Sequence, residues 1–132
     1  MSQTLAYVFG AILVLFGVLG FVPGITDGDM LLGIFMVSSL HNLIHLVTGL
    51  AAIAAAYGMY STRLFFQVFG VVYALVAVLG FVMGGNILGL IMTNMADHLL
   101  HLVLAAAFLY LGFMAKDSAP AAASSMGMGA TM

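Results

Sequence analysis

The sequence predicts an all-α membrane protein, its four transmembrane helices built from two parallel two-helix repeats. Three observations carry this expectation: four long apolar runs, almost no charge, and a segment that recurs sixty residues later. Of 132 residues, 65% are hydrophobic and only 5% are Asp, Glu, Lys or Arg, whereas soluble domains carry roughly a quarter charged residues. Two basic and four acidic side chains cannot cover a water-facing surface.

The first run, Leu5 to Val22, ends at Pro23-Gly24. The second extends from about Ser38 to Tyr60, the third from Leu64 to Met83, and the fourth from about Met95 to Ala115. Each is close to the ~20 residues that cross hydrocarbon as a helix. Barrel strands would alternate polar and apolar over ~10 residues, and no such pattern is present. The amino end, MSQTLAYVFG, lacks the basic region of a secretory signal, so the first run is expected to persist as a helix. The connections 23–37 and 84–93 contain MLLGIFMV and NILGLIM. These pieces are too short to span and are expected to lie at the membrane interface or to dip partly inward. Residues 1–116 are therefore read as a single four-helix transmembrane domain, with repeat one at about 5–60 and repeat two at about 64–116. Residues 117–132 form a small-residue C-terminal tail of linker composition.

Arg63 and Lys116 fall at the ends that share a side with the amino terminus. The positive-inside rule then places both termini in the cytoplasm. An inner or other energy-transducing membrane is the expected location, and lipids are the expected surroundings.

The repeat is visible in YVFGAILVLFGVLGFVPG (7–24) and QVFGVVYALVAVLGFVMG (67–84), which match at ten of eighteen positions. Gly10, Gly20 and Gly24 align with Gly70, Gly80 and Gly84. Further on the offset becomes 56 and pairs Gly33 with Gly89, Met36 with Met92, and His45 with His101. Two spans per unit means that both copies enter the membrane in the same sense, with a pseudo-two-fold axis along its normal.

All four histidines lie in HNLIHL (41–46) and DHLLHL (97–102). Ser38 and Asn94 are equivalent under the second offset and suit helix N-caps. Asp97, three residues after Asn94, can accept exposed backbone N–H groups. Ser38, His41, His45 and Thr48 share one helical face; in the fourth span Asn94, Asp97 and His101 do, with His98 one step aside. At ~1.5 Å per residue, His45 and His101 sit about 10 Å beyond the helix starts. Imidazole at that depth requires partners, so the stripe should face the bundle interior.

Two chemistries suit this stripe. His45 and His101, approaching across the axis, could ligate haem or another tetrapyrrole. Together with His41 and His98 they could instead hold a transition metal. The competing account is a structural network in which the imidazoles bond to Asn42, Thr48, Asn94 and Asp97, supported at the helix start by Ser38. Gln67, the one amide near the start of span three, is expected to bond backbone or headgroup. Tyr7, Tyr57 and Tyr60 fit an interfacial belt, whereas Tyr73 and Tyr110 lie deeper and need a hydroxyl partner or interior contact. The eleven methionines read as adaptable packing.

The segment N42-L-I-H45-L-V-T-G49 resembles a family of small bacterial four-helix membrane proteins known as a domain of unknown function, whose signature is an N-x-x-H-L-x-x-G element. Asn42, His45, Leu46 and Gly49 match it, and the resemblance extends over residues 4 to 115. It implies a bacterial integral membrane protein with four helices and no transferable chemistry. The second half departs from the signature, with His98 in place of Asn42 and Ala105 in place of Gly49.

Cysteine is absent, which removes disulfides, thiolate metal sites and cysteine nucleophiles. No basic cluster supports nucleic-acid binding. There is no phosphate loop, nucleophile elbow or H-E-x-x-H motif, so enzymatic activity is not expected. Three functions remain: a packing or interaction protein (a homo-oligomer or small subunit of a larger membrane complex), a metal- or tetrapyrrole-binding module, and a small transporter or channel.

Overall fold

The computed structural model describes residues 2–115. Lys116 and the tail 117–132 lie outside the described residues. Four helices dominate: α1 (Ser2–Leu19), α2 (Ser39–Ala56), α3 (Thr62–Met83) and α4 (Met95–Leu109), the last continuing into a π-helical turn, Tyr110–Met114. With that turn included, all four are long and apolar enough to cross a membrane. The chain is a membrane protein of mainly helical fold.

Helix ends follow local chemistry. Ser38 accepts the His41 N–H and Ser61 the Leu64 N–H, each satisfying a donor that has no partner within the helix. At α4 the cap is reciprocal: Asn94 Oδ1 accepts the Asp97 N–H at 3.0 Å, and Asp97 Oδ2 accepts the Asn94 N–H at 2.9 Å. Two helices end earlier than their apolar runs. α1 stops at Leu19 because Phe21 and Val22 bond into tight turns on Val18 and Leu19. α2 stops at Ala56 because Gly58 takes a left-handed φ of 84°.

The two connections are not unstructured. Three two-residue strands, β1 (Thr26–Asp27), β2 (Met30–Leu31) and β3 (Phe35–Met36), form a small antiparallel meander, and β4 (Asn86–Ile87) pairs with β5 (Ile91–Met92). Leu31 faces Phe35 and Ile87 faces Ile91, positions 56 residues apart in sequence. Each hairpin turns through two residues with positive φ: Leu32 at 56° and Gly33 at 69°, Leu88 at 55° and Gly89 at 71°. Periodicity did not foretell these hairpins, since two-residue strands are too short to alternate.

α1 packs mainly on α2, and α3 mainly on α4. The hairpins cross over: β3 packs on α4 and β5 on α2. Two bonds secure the first crossing, Met36 N–H to Asp97 Oδ2 at 3.1 Å and Asn94 Nδ2 to the Ile34 carbonyl at 2.9 Å. The half of the bundle toward the chain termini is filled by aromatic rings. Phe65, Phe66 and Phe108 are fully buried, and Phe108 meets Phe9 edge-on with ring centres 5.1 Å apart.

Candidate functional site

The half of the bundle toward the hairpins has a different interior. His41 and His45 lie one turn apart on α2, and His101 approaches from α4. Ring centres are separated by 4.6 Å for His41–His45, 5.4 Å for His41–His101 and 6.0 Å for His45–His101. One nitrogen from each can be chosen so that all three lie within 4.8 Å of one another. The three residues are 2%, 8% and 2% exposed. The inward stripe expected from helical spacing is thus present.

The hydrogen-bond network expected around these rings is not. Both nitrogens of His41, Nε2 of His45 and Nδ1 of His101 are buried without a partner. Thr48 donates to the Ile44 carbonyl and receives the Tyr73 hydroxyl at 3.3 Å. Asn94 and Asp97 are engaged with the helix cap and the first hairpin, Ser38 with its own cap, and the Asn42 Oδ1 is itself unpartnered. The backbone of Met36 and Met92 lies beside His41 but outside hydrogen-bond geometry.

His98 stands apart from this trio. The Thr93 hydroxyl donates to the Gly85 carbonyl at 3.2 Å, and it therefore receives the proton of His98 Nε2 at 2.9 Å. That arrangement assigns the Nε2–H tautomer. The ring rests where Gly80 has no side chain, and a Cβ at Gly80 would collide with it. Asn42 occupies the corresponding space over Gly20. Of the four histidines named as candidate ligands, three converge and the fourth, also on α4, turns aside to bond Thr93 in the second connection.

Two cavities touch the trio. One of about 230 Å³ lies between α2 and α3 and is bordered by all three rings together with Tyr73, Val76 and Ile91. The other, about 100 Å³, lies between α1 and α4 and reaches His45 from the opposite side. Sequence reasoning gave Tyr73 an interior contact, and it has one. It did not identify Val76 or Ile91 as walls, although the offset that pairs them with Phe16 and Phe35 was available in the sequence. Thr93 carried no signal.

At the far end of the bundle Arg63 Nε and Gln67 Nε2 both donate to the Gly112 carbonyl, at 3.1 and 2.9 Å. Gln67 bonds backbone, as expected. Gly112 permits this approach because a Cβ there would strike the Gln67 backbone. Tyr110, expected to lie deep, is 58% exposed on the bundle exterior.

Fold and composition define a four-helix integral membrane protein. The chain belongs to the DUF4383 family, a domain of unknown function whose model matches residues 3–114. No curated protein and no solved structure matches it.

Proposed function

We propose that this protein is a membrane-embedded metal-binding protein in which His41, His45 and His101 hold one transition-metal cation. The observation that carries this reading is three buried imidazoles with nitrogens within 4.8 Å of one another and four ring nitrogens lacking any partner. A buried polar atom without a partner costs about 1–3 kcal/mol. A single cation accepts a lone pair from all three rings at once, and imidazole suits copper, zinc, iron and nickel.

Charge favours one member of that group. The three ligands are neutral and the cluster contains no carboxylate, so the full charge of the ion remains in a low-dielectric interior. That cost grows with the square of the charge, which favours copper(I) over any divalent ion. A tetrapyrrole suits the geometry less well. Its plane must pass between two axial rings, and His41 stands 4.6 and 5.4 Å from the other two. The transporter alternative is opposed by the fully buried phenylalanines that fill the opposite half of the bundle. The packing alternative required a satisfied network around the rings, which the unpartnered nitrogens do not provide. The positions of Arg63 and Lys116 support cytoplasmic termini, with the metal site in the outer half of a bacterial membrane.

The test is metal analysis of protein extracted gently from cells grown in metal-replete medium, alongside His45→Ala and His101→Ala. An equimolar ion in the wild type, lost in both variants, is the expected result. An ion retained in the variants, or none in the wild type after anaerobic copper(I) loading, would overturn the proposal and restore the packing or subunit reading.

A further inference from the structure

We infer that the metal centre is open toward the chamber between α2 and α3, and that this chamber admits a small neutral ligand of the diatomic class. The inference rests on the metal reading above. Three imidazoles leave the fourth position of a tetrahedral site free. All three rings border the larger cavity, whereas only His45 reaches the smaller one.

The difference between the cavities has a specific source. The sequence offsets pair Val76 with Phe16 and Ile91 with Phe35. In the smaller cavity those two phenylalanines pack edge-on with centres 6.0 Å apart and take up space that valine and isoleucine leave open on the other side. The larger chamber also places the Tyr73 ring beside His101, at 5.6 Å. The Tyr73 proton is already donated to Thr48, so the Tyr73 hydroxyl offers no free donor to a ligand in the chamber.

Size and polarity then define the occupant. At about 230 Å³ the chamber lies below the ~300–1,000 Å³ typical of drug-sized ligands. Apolar cavities of this kind stay dry and accept small apolar molecules. Such a molecule can partition through lipid and meet the ion at its open position. Carbon monoxide is a suitable probe because it binds copper(I) through a dative bond without electron transfer.

The experiment is infrared detection of a carbon monoxide band on the full-length, copper(I)-loaded protein under anaerobic conditions. Alongside it, Val76→Phe and Ile91→Phe each introduce the ring found at the paired position. A carbon monoxide adduct in the wild type is expected, weakened at least tenfold in either variant that retains its copper. A fully loaded wild type with no adduct, or variants that bind carbon monoxide unchanged, would overturn this inference alone. A wild type that takes up no copper would overturn the metal reading and this inference with it.

Discussion

The two halves of the bundle fill their interiors by opposite means. Toward the termini, Phe9, Phe65, Phe66 and Phe108 close on one another, and the Gly112 carbonyl accepts from Arg63 and Gln67. Toward the hairpins, His41, His45 and His101 meet with nitrogens unpartnered. Tyr73 marks the border, with its ring 5.9 Å from Phe108 and 5.6 Å from His101. One half is a finished core. The other leaves four ring nitrogens of the trio without partners.

Substitutions can break that contrast. The largest expected effect is on metal affinity. Loss of supporting groups around a metal site costs 10–100-fold, so removing a ligand in His45→Ala should exceed about 100-fold, read by competition with a chelator. The same titration should raise the wild-type unfolding free energy by about 2.7 kcal/mol at a hundredfold excess over the dissociation constant and leave His45→Ala unmoved. In the aromatic half, Phe108→Ala should cost about 3 kcal/mol by cavity formation, measured by unfolding in mixed micelles, with metal content retained in the folded fraction.

Smaller changes sharpen the comparison. Asp97→Ala strands the Met36 and Asn94 N–H groups and should cost about 2 kcal/mol, with faster hydrogen exchange in the first hairpin. Tyr73→Phe removes one interhelical bond of 3.3 Å and should cost about 0.6 kcal/mol. The smallest expected effect separates the fourth histidine from the other three: His98→Asn should leave the metal stoichiometry unchanged. Loss of the ion in that variant would show that the trio depends on the Thr93 contact.

Much of this arrangement was legible in the chain. The spans followed from apolar run length, and the Ser38 and Asn94 caps from residue type beside the helix start. The meeting of His45 with His101 followed from equivalent depth on paired helices, and His41 from one helical turn. The diversion of His98 was not legible, because it depends on space over Gly80 and on a hydroxyl from the preceding strand end, both tertiary facts. The contact at Gly112 was hidden for a similar reason: it depends on two donors from α3 reaching one carbonyl of the π-helical turn. The hairpins escaped notice since their pairing spans two residues and their tips are aliphatic rather than polar.

Those tips have a consequence of their own. Leu32 and Leu88 adopt a backbone that glycine would take freely and that costs other L-residues roughly 1–2 kcal/mol, yet their side chains are 55% and 65% exposed. Strain is therefore tolerated twice, at paired positions of the two hairpins, where an aliphatic group is exposed. Replacing either leucine by glycine would relieve the backbone strain and at the same time remove the exposed aliphatic group from the hairpin tip.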